Sequence, residues 1–219
     1  MNFCTNENKK EQMETLQERL QKIIWTSYQI FQNKIVGGIY TIENEASLQL
    51  LFGEVLLDVG RLHTYSWDER FIVGREFKYA KTTTSKNDNE AICDISLRLV
   101  SGQEECTAAI EMKYLKKSKF EAVTDNRFSV LQDIENLEHY PVDLGVMLVY
   151  SDNSNYADPD TTSYLKIGDG NIIHGEISTT GSKTRKVVFL KNSYKLQWDT
   201  FETKDKTHCF MLQYVNPIK

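Results

Sequence analysis

Apolar residues recur at spacings of three and four near the start of the chain. Met13, Leu16, Leu20, Ile23 and Ile30, with Ser27 on the same face, predict one long helix over 6–35. Val36-Gly37-Gly38 then supplies residues suited to a helix C-terminus. A second helix is predicted with Thr41 as its cap, apolar positions Leu48, Leu51, Phe52, Val55 and Val59, and a stop at Gly60. Glu54 and Asp58, four apart, share one face of it. The period then changes. Segments 70–81, 90–100 and 106–117 alternate like strands and are separated by polar or Gly-containing turns. Helical spacing returns over 126–140 through Phe128, Leu131, Ile134 and Leu137, and Pro141 closes it. The run 143–152 is short and apolar, as a buried strand would be. Strand, helix, buried strand predicts a right-handed crossover between parallel strands. Segments 164–168, 171–179, 184–198 and 208–215 read as further strands around polar loops.

The pattern predicts an α/β fold: a mixed central sheet flanked by helices, with N-terminal helices and extra C-terminal β-strands. The 219 residues suit one domain. Its parts are a helical region over 1–61, a core over 47–152 and a β-rich region over 153–219. Three prolines leave little room for disordered linkers. No apolar run approaches the roughly 20 residues that span a bilayer, and the start of the chain lacks the apolar core of a signal peptide. Cys4, Cys93, Cys106 and Cys209 form no CxxC pair, which predicts a reduced, cytoplasmic protein. A net charge of −5 does not advertise a nucleic-acid binder. Such binding rests on local basic patches, so it stays open.

The stretch 93–113 changes the picture most. One face of its first strand carries Ala91, Cys93, Ile95, Leu97 and Leu99, and the other carries Ile92, Asp94, Ser96 and Arg98. In the returning strand Ala108, Ile110, Met112 and Tyr114 face one way, and Ala109, Glu111, Lys113 and Leu115 the other. Gly102-Gln103 suits a two-residue loop with glycine first. That loop pairs Ser101 with Glu104 and so sets Asp94 opposite Glu111, with Lys113 on the diagonal. Opposed residues have Cβ atoms about 4.5–5.5 Å apart, where like charges repel. Such carboxylates share a proton, sit in water, or hold a cation. Two readings stand at this point: a solvated hairpin whose repulsion Arg98 or Lys113 offsets, and a metal site.

Asp94, sixteen intervening residues, then Glu111-Met112-Lys113 resembles the signature of the PD-(D/E)XK phosphodiesterases, which include many type II restriction endonucleases. Glu7-Asn8-Lys9, Glu76-Phe77-Lys78 and Glu202-Thr203-Lys204 also fit E-x-K. Only Glu111-Met112-Lys113 ends a hairpin begun by an aspartate and precedes a helix and a buried strand. The resemblance covers 47–152 and implies a restriction-endonuclease-like core. Cys93 stands where the motif has its proline. Gln132 is followed four positions later by Asn136, so the glutamine–tyrosine pair of the RecB-like branch is missing.

The resemblance implies that Asp94, Glu111 and the Met112 carbonyl hold Mg²⁺ (or Mn²⁺), and that Lys113 positions or activates the attacking water. It also implies an acid from the preceding helix. Glu54 is the candidate, with Glu76 as an alternative. Implied too are hydrolysis of DNA phosphodiester bonds, as by a type II restriction endonuclease, and a homodimer to cut both strands, with the 6–35 helix supplying the interface. The alternative is a catalytically inactive nuclease-like module that binds DNA or protein.

Lys116, Lys117 and Lys119 follow the motif, and Lys183, Arg185 and Lys186 form a second basic cluster. Both are candidates for phosphate contacts or plain solvated faces. No HExxH motif, G-x-S-x-G elbow, P-loop or dinucleotide fingerprint is present.

Overall fold

A computed structural model describes residues 14–80, 90–116, 120–160, 165–179 and 186–218. The first helix, α1 (Leu16–Val36), starts at a reciprocal cap in which Thr15 accepts from the Glu18 amide while Glu18 reaches back to the Thr15 amide. Leu20, Ile23, Ile24, Tyr28, Phe31 and Ile35 form its buried stripe. The second helix, α2 (Glu45–Leu62), is capped by Asn44, whose Oδ1 accepts from the Ser47 amide at 2.8 Å. The predicted cap, Thr41, lies outside the helix: Asn44 with Ser47 three residues on makes the better reciprocal pair.

A six-stranded sheet follows. Its strands are β1 (Glu69–Ala80), β2 (Glu90–Ser101), β3 (Glu104–Leu115), β4 (Leu144–Ser151), β7 (Trp198–Glu202) and β8 (Thr207–Val215), in the order β1-β2-β3-β4-β8-β7. The β2–β3 turn is the expected one. Gly102 has φ 59°, which a side chain would resist, and Ser101 pairs with Glu104. Helix α3 (Phe120–His139) then crosses to β4, which runs parallel to β3, as the crossover pattern predicts. All eight residues of β4 are buried.

The sheet separates two cores. On one side α1 and α2 pack against Ile95, Leu97, Leu99, Ala108, Ile110 and Met112. There α2 passes so close to β1 that a Cβ at Gly60 would overlap the Phe71 ring at 2.0 Å. On the other side α3 covers Ala109, Leu115, Met147 and Val149. A separate hairpin, β5 (Ile172–Ser178) with β6 (Val187–Lys195), packs outside α3. Glu138 of α3, fully buried, fills the irregularity in that hairpin. It accepts from the Lys191 and Asn192 amides, the Asn192 side chain and the Tyr194 hydroxyl.

The C-terminal third divides differently from its sequence pattern. Strands β7 and β8 complete the main sheet, and 165–168 is no strand. Leu165 and Ile167 are apolar because both are fully buried in the α3-side core, where the Ile167 carbonyl also takes the Trp198 indole N–H. No helix among the described residues is long and apolar enough to cross a membrane.

Candidate functional site

The hairpin register holds as far as Ile95 opposite Ile110, and there β2 leaves β3. The next facing residues in that register are Asp94 and Glu111. Past the parting, the Met112 amide donates to Asp94 Oδ2 at 2.7 Å, so a side-chain carboxylate stands where a strand would offer a carbonyl. Within an extended strand the N–H and C=O of one residue point to the same edge, so the Met112 carbonyl faces the same gap. Cys93 departs from its expected face: it lies in the α3-side core, away from Ile95 and Leu97.

Helix α2 closes one side of the gap. Gln49 Nε2 donates to Asp94 Oδ1 at 2.8 Å, and Glu45, one turn earlier, lies 3.4 Å from Lys113 Nζ. Helix α3 closes the other. Asp133 Oδ2 sits 3.1 Å from Lys113 Nζ, and Tyr140, just after the helix, donates from its hydroxyl to Glu111 Oε1 at 2.5 Å. The Asp94 and Glu111 carboxyl groups lie near enough for each to act on the proton affinity of the other. Glu111 is only 4% exposed, so the solvated-hairpin reading fails: α3 buries the face that the alternation alone left open.

Four carboxyl groups thus share one ammonium, and their proton affinities follow. Burial, then Asp133 and Asp94, push Glu111 up to about 9 against the opposing pull of Tyr140 and Lys113. Burial raises Asp133 to about 6, with Lys113 pulling the other way. Asp94 is raised by burial and partly held down by the Met112 amide and Lys113. Lys113 is pushed further toward its charged form, because Asp133 and Glu45 outweigh its desolvation. Burial lifts the neighbouring Cys93 thiol to about 12, which keeps it neutral and a poor ligand.

Among the described residues no set of three or more His, Cys, Asp or Glu converges to hold a metal ion. A cation placed here would have the Asp94–Glu111 pair, the Met112 carbonyl and water as its donors. That sparse, all-oxygen set fits Mg²⁺ or Mn²⁺, since Mg²⁺ takes one or two carboxylates and keeps several waters.

Asp94, Glu111, Met112 and Lys113 lie together at the parting of β2 and β3, and Glu54 does not join them. It lies on an exposed part of α2 and accepts from the Tyr40 hydroxyl at 3.3 Å, more than two turns beyond Glu45. The helix acid at the site is Glu45. The Glu76 side chain lies outside the described residues, as do Lys117, Lys119, Lys183 and Arg185. Lys116 is exposed, with its ammonium over the Tyr114 ring at 5.2 Å. Lys186 is turned onto α3, 3.3 Å from Asp125 and over the Phe128 ring. Sequence reasoning misses Glu45, Gln49, Asp133 and Tyr140. The available signal is the one-turn spacing of Glu45 and Gln49 in the first turns of α2, and Asp133 placed next to the apolar stripe Val130, Ile134, Leu137.

Comparison with models of known protein families, with curated proteins and with solved structures finds no match to this chain.

Proposed function

We propose that the chain is a divalent-cation-dependent phosphodiesterase that hydrolyses DNA, with a PD-(D/E)XK-type site of the kind found in type II restriction endonucleases. The observation that carries this reading is the convergence of Asp94, Glu111 and Lys113 where β2 parts from β3. The order helix, three-strand meander, helix, parallel strand agrees with it. Asp94, Glu111 and the Met112 carbonyl would hold Mg²⁺ or Mn²⁺, which would supply Lewis-acid chemistry and a more acidic water.

The chain's own residues do the rest. Gln49 and the Met112 amide fix the Asp94 carboxylate from two sides, and Tyr140 fixes one oxygen of Glu111. Lys113, held charged between Glu45 and Asp133, orients a water or a phosphate oxygen as a cation and does not serve as a proton acceptor. Exposed Lys116 adds a backbone contact. A homodimer through the outward side of α1, where Trp25 and Ile30 are exposed, would present two sites to two strands.

A second reading, a catalytically inactive nuclease-like module that binds DNA or protein, is favoured by one observation. Both Asp94 oxygens already accept from the chain's own N–H groups, so the acid is satisfied without a cation. Incubation with mixed plasmid and phage DNA, in Mg²⁺, Mn²⁺ or EDTA, separates the two. Discrete fragments mean a restriction enzyme and a smear a nonspecific nuclease. Intact DNA under all conditions would favour the module.

A further inference from the structure

We propose that Tyr140 is a positioning residue for Glu111 and that the β5–β6 hairpin exists in part to hold it there. The inference rests on the reading of Asp94 and Glu111 as a cation-holding pair. Glu111 is a long side chain on the central strand, and its carboxyl has several rotamers open to it. The hydrogen bond from the Tyr140 hydroxyl, 2.5 Å from Oε1, limits them. With Oε1 held by the phenol, Oε2 is the oxygen left free of that hydrogen bond. That is the oxygen a cation would use.

The phenol can fix a rotamer only if it is itself fixed. Tyr140 is 2% exposed and lies in the α3-side core between the end of α3 and Pro141. Two residues before it, Glu138 is tied to β6 by the Lys191 and Asn192 amides and the Tyr194 hydroxyl. The Glu138 carbonyl also takes the Ile218 amide. The last turn of α3 is thus bolted to the outer hairpin and to the C-terminal segment. The hairpin holds Glu138, and Tyr140 follows two residues along the chain with its hydroxyl on Glu111. Partners that orient a ligating carboxylate contribute about 10–100-fold to metal affinity.

Tyr140→Phe removes one oxygen and leaves the ring in place. The probe is Mn²⁺ alone, with free ion followed by electron paramagnetic resonance during titration of the full chain. The expected result is a Kd raised about tenfold in Tyr140→Phe and unchanged in Tyr214→Phe, a half-buried phenol on the Gln21 carbonyl of α1. If Tyr140→Phe fails to fold, 3-fluorotyrosine at 140 replaces it. Its more acidic phenol donates more strongly to Oε1 and should shift the Mn²⁺ Kd, and an unchanged Kd would count against positioning. Wild-type binding with equal affinity in Tyr140→Phe overturns the proposal and leaves the cation site standing. No Mn²⁺ binding by the wild-type chain overturns both.

Discussion

Replacing Glu111 with Gln should make the cation-free protein more stable, and by an amount that grows with pH. The substitution keeps the shape of a buried side chain and removes its ability to ionise. In the folded chain Glu111 is raised from the ordinary 4.5 to about 9, first by burial and then by Asp133 and Asp94. Between those two values the native state holds a proton that the unfolded chain has released. Stability therefore falls as pH rises through that window and levels off above it. Every tenfold gain in proton affinity on folding corresponds to about 1.4 kcal/mol, so an ionised, buried Glu111 costs on the order of several kcal/mol at the top of the window. The assay is urea unfolding in EDTA at pH 5, 7 and 9 for both proteins. Expected are similar stabilities at pH 5 and a gap of several kcal/mol in favour of the variant at pH 9. Added Mn²⁺ should narrow the gap by stabilising only the wild type. Parallel stability curves across the whole range would refute the reasoning, because they would mean that Glu111 is not a buried, proton-holding acid.

Asp94→Asn should abolish cleavage and lower the free energy of unfolding by about 1 kcal/mol, read from urea midpoints. An amide has one acceptor oxygen where the carboxylate offers two to Gln49 and Met112, and that loss outweighs the relief of repulsion with Glu111. Lys113→Ala should remove activity and cost about 1–3 kcal/mol by leaving Glu45 and Asp133 facing each other uncompensated. DNA binding in Ca²⁺, measured by gel shift, should persist in it. Glu54→Ala should leave cleavage intact and stability within about 0.5 kcal/mol, as befits an exposed helix acid. Glu45→Ala, at the ion pair with Lys113, should lower activity.

Elements governed by local rules are legible from the sequence alone. Gly102-Gln103 fixes the hairpin register through turn geometry, and the pairing runs to Ile95 opposite Ile110, one step short of Asp94 and Glu111. The apolar run 143–152 announces a strand buried on both faces, and β4 is one. Long-range packing is not legible. Nothing in residues 126–140 says which sheet face the helix will cover, so the burial of Glu111 and the arrival of Asp133 and Tyr140 have no local signature. Choosing Glu54 over Glu45 fails for a related reason. Periodicity points to a helix before the hairpin, but how far along it the site lies depends on the approach of α2 to β1, set at Gly60 against Phe71. The segment 164–168 misleads in the opposite sense. Its apolar residues are buried as an irregular lining of the α3-side core, which a two-residue period cannot distinguish from a strand.

The account stands on the acid pair holding a divalent cation, and a Mn²⁺ titration of the full chain by isothermal calorimetry tests that most directly. The prediction is one site in the wild-type protein, lost in both Asp94→Asn and Glu111→Gln and retained in Glu54→Ala. Absence of binding in the wild type, or equal binding in all four proteins, would contradict it.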